Sequence, residues 1–147
     1  MTIIQIPSII LPSVWTLGTE TELMNNIVEH TSIEFGVSSL QEKQINMFAQ
    51  EVVAAGVPGN LWWWIELSPV LSTNSGSYWT AIGGGGGALA PLSPNIIVAG
   101  GVDGRIHTEL MAWTIHSAYA RIVVQVPVAA TPLTDHWAVQ VQVSGKG

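Results

Sequence analysis

The clearest hydrophobic pattern in the chain lies in its last third. In Trp137–Val143 every second residue is apolar, and the positions between them are Ala138, Gln140 and Gln142. Ala120–Val126 alternates in a similar way. Because successive side chains of a strand point to opposite faces of a sheet, both segments predict strands with a buried face. The glutamines indicate that the other face of the last strand meets water or hydrogen-bonding groups.

Shorter stretches of this pattern occur earlier in the chain. Ile33–Val37 alternates apolar and polar residues and predicts a half-buried strand. Tyr78–Ile82 and Asn95–Ala99 predict two further short strands, each next to a loop rich in Gly, Ser or Pro.

One early segment fits a helix as well as a strand. Ser39–Glu42 matches a helix capping box, and Ile45, Phe48 and Val52 after it have helical spacing. Gln44–Val53 also alternates apolar and polar residues, as a strand does. We favour the strand because the flanking segments are strand-like and a sheet needs partners.

A second segment, Arg105–Thr114, presents the same choice. A helix would group Ile106, Leu110 and Trp113 on one side. Alternation along the segment favours a strand instead, and we adopt that interpretation.

The first thirteen residues, Met1–Ser13, are apolar and carry Pro7 and Pro12. Two prolines prevent a regular helix, and the isoleucines favour extended backbone. We therefore expect an extended arm over residues 1–13 and a domain over 14–147. The arm is either an edge strand of the domain or a segment that lies on a neighbouring molecule.

Together these segments amount to about eight short strands joined by Gly-, Pro- and Ser-rich connections. That organisation, in a chain of 147 residues without internal repeats, is typical of one domain. Such strands are typical of an antiparallel sandwich or barrel. Of the two, we predict the sandwich: an all-β fold, a single antiparallel β-sandwich that is jelly-roll-like, with an extended N-terminal arm.

Three consecutive tryptophans occur in the stretch Asn60–Val70. In a strand, one row of side chains would be Leu61, Trp63, Ile65 and Leu67, and the other Trp62, Trp64, Glu66 and Ser68. The first row is the predicted core face. The second row would place two large indoles on the opposite face, where they need a cover. We expect a neighbouring subunit to cover Trp62 and Trp64, with Glu66 at the edge of that contact.

Composition excludes several kinds of function. The chain has no cysteine, so it has no disulfide or thiolate chemistry. Its four lysines and arginines and net charge of −6 disfavour binding to nucleic acid and to anionic membranes. The N-terminal segment lacks the basic region of a signal peptide, so we expect synthesis in the cytoplasm without a leader.

No catalytic, cofactor or metal site is predicted. The glycine run Gly83–Gly87 lacks the Lys-Ser/Thr pair of a phosphate-binding loop. His107 and Glu109 could share one strand face, but no His, Asp or Glu spacing is diagnostic of zinc. No Gly-x-Ser-x-Gly motif is present. We therefore expect a protein that is not an enzyme and needs no cofactor.

The apolar arm, the strands that end at Pro69 and Pro127, the glycine run and the closing segment WAVQVQVSGKG make up a pattern that spans the chain. It resembles the small β-sandwich structural proteins of phages and viruses, such as capsid decoration (cement) proteins. The resemblance implies a structural subunit of a virion that is made in the host cytoplasm. It implies binding to itself, as a homo-oligomer, and to a major capsid or other virion protein. The expected contact residues are Ile4, Ile6, Ile9, Ile10, Leu11, Trp62, Trp64 and Glu66.

The alternative is a carbohydrate-binding module. Exposed aromatic side chains can stack on sugars, and five residues are candidates for such a platform: Trp62, Trp64, Tyr78, Trp79 and Trp113. A row of exposed aromatics would favour sugar binding, whereas aromatics hidden by a second copy would favour assembly.

Overall fold

Every regular element in the computed structural model, which describes residues 3–10, 30–32, 34–74, 78–82, 94–128 and 135–146, is a β-strand. The strands are β1 (Ile3–Ile10), β2 (His30–Thr31), β3 (Phe35–Gly36), β4 (Glu42–Val52), β5 (Leu61–Ser68), β6 (Thr80–Ile82), β7 (Asn95–Ile97), β8 (Ile106–Trp113), β9 (Tyr119–Gln125) and β10 (His136–Lys146). They form two antiparallel sheets.

The four-stranded sheet has the order β1-β10-β4-β8. Its central pair, β10 and β4, is in continuous register, with Gln140 opposite Phe48. On the far side of β4, Phe48 lies opposite Thr108 of β8. The β1–β10 register shifts between Ile6 and Ile9, the interval that contains Pro7. A proline has no N–H for the ladder, so an irregularity on this edge strand is expected there.

The six-stranded sheet is built on the pair β5 and β9. The edge of each strand that faces away from the other pairs with two short strands, one after the other along its length. β2 and β3 pair with β9, while β6 and β7 pair with β5. The six strands therefore occupy four rows.

The strand order is that of a jelly roll. When the eight rows are numbered in chain order, the first sheet reads 1-8-3-6 and the second reads 2-7-4-5. Consecutive rows thus alternate between the sheets, except rows 4 and 5, which are neighbours in the second sheet; this is the order of a double-sheet jelly roll. The predicted antiparallel β-sandwich is confirmed.

The core fills the space between the two sheets. β5 and β9 supply their inner rows from one side, and β4, β8 and β10 supply theirs from the other. The inner rows of the two long pairs are Ile45, Met47, Ala49, Leu61, Trp63, Ile65, Leu67, Ala120, Ile122, Val124, Trp137, Val139, Val141 and Val143. The predicted facing of the tryptophan strand, the closing strand and the Ala120–Val126 segment is confirmed.

Both ambiguous segments are strands, as predicted. β4 lies between β10 and β8 and pairs along its length with both, so its backbone groups are satisfied within the sheet. The capping-box match at Ser39–Glu42 does not begin a helix. Tertiary pairing outweighs a local helix signal here because a helical segment would leave β10 and β8 without their shared partner.

The short predicted strands are shorter still in the structure. Among residues 34–37, the described part of Ile33–Val37, Phe35–Gly36 forms a strand, and the amide of Val37 also donates to the carbonyl of Ala118 at 2.9 Å. The Tyr78–Ile82 and Asn95–Ala99 predictions correspond to β6 and β7. Ile33 and the glycine run lie outside the described residues.

Candidate functional site

The outer face of the six-stranded sheet carries a second, smaller apolar cluster. Trp64 packs there with Ala81 and Val123, and Trp62 lies against them. Trp64 is 1% exposed in the single chain, whereas Trp62 is half-buried. The outward tryptophan row predicted from the sequence therefore exists, and its central indole is covered without a second subunit.

Glu66 lies beside this cluster and connects the side chains of Trp64 and Arg121. Its Oε1 atom accepts a hydrogen bond from Nε1 of Trp64 at 3.1 Å. Its Oε2 atom accepts from Nε and Nη2 of Arg121, at 2.7 and 2.6 Å. Glu66 and Arg121 are directly opposite each other on β5 and β9, so strand register places them together.

Arg121 extends this network towards the surface. Its guanidinium carbon lies 4.3 Å from the ring centroid of Trp79, a cation–π contact. Nε1 of Trp79 donates to the Ser72 hydroxyl at 2.9 Å, and that hydroxyl in turn donates to the Glu34 carboxylate. The chain of contacts joins β5 and β9 to the loop that follows β5.

The network holds the sheet face together and leaves little for chemistry. Both oxygens of Glu66 are occupied, and Arg121 is shared between a carboxylate and an indole. Of the about four lone-pair sites on the Glu66 carboxylate, three accept from Trp64 and Arg121. These contacts join β5 to β9 across the outer face.

The predicted contact residues fall into two groups. Trp64 and Glu66 are both buried in the single chain, at 1% and 5% exposure, and Trp62 is half-buried. Their role in a subunit interface stays a prediction. The expectation rested on two indoles that need a cover, and Trp64 is already covered within its own chain.

The remaining predicted contacts lie in the arm. Ile4, Ile6, Ile9 and Ile10 belong to β1, which pairs with β10 of the same chain. Of the two possibilities for the arm, its residues 3–10 form an edge strand. Leu11 lies outside the described residues.

A buried carboxylate, Glu51, fastens one end of the sandwich. Its Oε1 atom accepts from the amides of Gly100 and Gly101, at 2.7 and 2.8 Å. Its Oε2 atom lies 2.9 Å from Nε2 of His107, whose ring packs edge-on against Trp137. Gly101 has φ of 75°, a conformation that favours glycine, so the backbone can turn both amides towards the acid.

Two aspartates complete the same end. Asp103 accepts from the amide of Val53 at 2.9 Å, and Asp135 accepts from the amides of Ala54 and Ala55. Three consecutive amides after β4 are therefore held by carboxylates from two other loops. The sequence analysis did not identify these acids; the signal was their place next to turns, where Asp often accepts backbone hydrogen bonds.

The opposite end of β4 carries a buried cation. Lys43 is 1% exposed and donates to the carbonyls of Ile115 and Gln41, at 3.2 and 3.5 Å. No carboxylate of the described residues forms an ion pair with it. Burial lowers the pKa of Lys43 from its ordinary value of 10.5.

His107 and Glu109 are the pair considered above as metal ligands. His107 and Glu109 share the inner row of β8, but the imidazole contacts Glu51. His116 is exposed and His136 is buried. Within the described ranges, no group of three or more His, Asp or Glu side chains is arranged to hold a metal ion.

A shallow cavity of about 490 Å³ opens at the end of β5. Tyr78 lines it and is 70% exposed, with Thr80 and His116 beside it. Ser68, also in its wall, uses its hydroxyl within the chain, donating to the Val70 carbonyl at 2.6 Å. Among the aromatic side chains that the structure describes, Tyr78 is the largely exposed one.

A scan against protein-family models gave no match, and a search of curated proteins also found none. Helices of the length and hydropathy needed to span a bilayer are absent from the described segments.

Proposed function

We propose that this protein is a non-enzymatic structural subunit of a symmetric assembly, namely a virion capsid decoration or stabilising protein. Its partners are further copies of itself and a major capsid or other virion protein. The observation that carries the proposal is the nearly uncharged outer face of the four-stranded sheet, on a jelly-roll scaffold that is used in viral capsid domains among others. Because fold alone does not assign function, the chemistry of this face carries the argument.

This outer face is made of amides and aliphatic groups. Its central positions, by alternation with the buried rows, are Gln44, Asn46, Phe48, Gln50, Ile106, Thr108, Leu110, Ala112, Gln140 and Gln142. The charged pair on it, Glu42 and Lys146, lies at one end with the charged atoms 3.3 Å apart. The centres of protein interfaces are depleted of charged residues. Side-chain amides can exchange hydrogen bonds with water for hydrogen bonds with another protein surface. A small ionic substrate would find no partner there.

Self-association tests the proposal directly. Sedimentation velocity over a hundredfold range of concentration should give a discrete oligomer rather than a monomer. Placing a charge on the outer face, as Phe48→Lys, should reduce the size of that oligomer, because an unpaired charge at the core of an outer-face contact is costly. Thr73→Lys adds the same charge to an exposed loop and serves as the control. A wild-type protein that is monomeric throughout would refute the proposal.

The second candidate is carbohydrate binding, favoured by exposed Tyr78 at the cavity beside His116. The tryptophan platform is weaker than expected for this function, because Trp64 and Trp113 are buried and Trp79 has Arg121 over its ring. Titration with mono- and oligosaccharides, followed by calorimetry, separates the candidates. Saccharide binding that Tyr78→Ala abolishes would establish the second function.

A further inference from the structure

The outer edge of β8 has no partner in the structure as described. β8 pairs with β4 on one side, and the four-stranded sheet ends there. Proteins usually protect such an edge with Pro, charged side chains, a bulge or a very short strand. β8 has eight residues, Ile106–Trp113, contains neither Pro nor Lys, carries Glu109 as its one carboxylate, and keeps an unbroken register with β4. It is a long, regular edge that another strand can extend.

A backbone hydrogen bond at the start of β8 shows which alternate residues point their N–H and C=O groups to the free edge. The amide of Glu51 donates to the carbonyl of Arg105 at 2.9 Å, in line with the β4–β8 register. Antiparallel pairs alternate between hydrogen-bonded and non-hydrogen-bonded types. The odd-numbered residues of β8 therefore bond to β4. The residues whose N–H and C=O groups point to the free edge are Ile106, Thr108, Leu110 and Ala112.

The side chains along the edge are complementary to their own copy. Ile106 and Leu110 are 51% and 63% exposed on the outer face, on either side of Thr108. On the inner face, His107 and Glu109 are both partly exposed. His107 contacts Glu51 through Nε2, and in the imidazolium form its Nδ1–H is a second donor for another acid.

We propose that β8 pairs antiparallel with β8 of a second copy, about a two-fold axis at Thr108. Thr108 then lies opposite its own copy, Ile106 opposite Leu110, and His107 opposite Glu109. The two four-stranded sheets become one continuous sheet of eight rows. This inference deepens the proposed function, on which it rests, by naming one contact through which the subunit binds a second copy, in addition to contacts of the outer face.

Charge disfavours the two registers reached by moving the axis from Thr108 towards the C-terminal end of β8. Moving the axis to Glu109 places two carboxylates directly opposite each other, which is unfavourable in a cross-strand pair. Moving it to Leu110 places Glu109 opposite Met111 and leaves the acid without a partner across the interface. With the axis at Thr108, each acid instead lies opposite His107, whose imidazolium form can donate to it through Nδ1. The pairing is isologous and closes as a dimer, which is the commonest oligomer type.

Single cysteine substitutions test the register, since the chain has no cysteine of its own. In the proposed dimer, the two Thr108 Cα atoms are about 5.5 Å apart, within the ~4.4–6.8 Å that a disulfide spans. Thr108→Cys should therefore form a covalent dimer under mild oxidation. Leu110→Cys is the matched control on the same exposed row, because its copies would be about 14 Å apart, four residues along a strand.

A cross-link at Thr108→Cys with none at Leu110→Cys supports the proposal. The reverse result would overturn it, since it places the axis at Leu110. Glu109→Lys should weaken dimerisation at least tenfold in sedimentation, because it replaces the acid opposite His107. If the protein forms oligomers but Thr108→Cys does not cross-link, edge pairing is refuted while self-assembly stands. A protein that stays monomeric refutes both.

Discussion

Trp63 and Trp64 are consecutive in the chain, lie on opposite faces of β5, and are each 1% exposed. Trp63 belongs to the core between the two sheets, whereas Trp64 packs on the outer face with Ala81 and Val123. β5 is thus buried on both faces, as are few strands of antiparallel sheets. It is the strand around which the six-stranded sheet is organised.

Removal of either indole should therefore destabilise the fold. We expect Trp63→Ala and Trp64→Ala each to lower the free energy of unfolding by about 3–5 kcal/mol, the cost of a large buried side chain. Trp62→Ala should cost less, because that side chain is half-buried. Urea unfolding followed by far-UV circular dichroism measures all three. A Trp64→Ala protein as stable as wild type would show that the outer cluster contributes nothing.

The Glu66–Arg121 pair should be strongly coupled. A double-mutant cycle with Glu66→Gln and Arg121→Met should give a coupling free energy of about 2–3 kcal/mol, because two guanidinium nitrogens donate to one carboxylate oxygen and the pair is largely buried. Glu42 and Lys146 form an exposed pair on the other sheet and provide the control. Their cycle should give less than about 1 kcal/mol. Equal coupling in the two cycles would contradict a special role for Glu66.

Lys43 should make stability rise at alkaline pH. Its pKa is lowered in the folded protein by burial, so the unfolded chain holds this proton more tightly. Between the lowered pKa and the ordinary 10.5, the free energy of unfolding therefore increases as pH rises. Below that window, the cost of burying the charged ammonium is fully present. Wild type should gain stability relative to Lys43→Met as pH increases from neutral towards 10.5.

Denaturant titrations at several pH values measure this difference. Lys146→Met removes an exposed ammonium and is the control. If the free energies of unfolding of wild type and Lys43→Met change in parallel with pH across the alkaline range, Lys43 does not cause the gain in stability.

The N-terminal segment should stabilise the sheet. Deleting residues 1–13 removes β1 and leaves the edge of β10 without a partner. We expect a fall in Tm of roughly 10 °C, the equivalent of about 3 kcal/mol for a domain of this size. Deleting residues 1–2 alone, which precede β1, is the control for calorimetry. An unchanged Tm with smaller assemblies would instead indicate that the segment acts between molecules.

Periodicity was informative wherever burial is set within one strand. The alternation in Trp137–Val143 and Ala120–Val126, and the two rows around Trp63, are local properties of the chain and predicted the core face correctly. The fold class followed from the number of such segments and their connections. Strand ends were harder, as in Ile33–Val37, because a short strand ends where its partner does.

The sequence by itself therefore determined that this is an antiparallel β-sandwich with a tryptophan strand at its centre, because side-chain alternation is encoded residue by residue. Only the tertiary structure decided the partners. The jelly-roll order, the Glu66–Arg121 pair and the three amides held by Asp103 and Asp135 all join segments far apart in the chain. Such contacts depend on strand register and sheet stacking, which no local pattern specifies. For the same reason, only the structure shows that Trp64 is covered within its own chain.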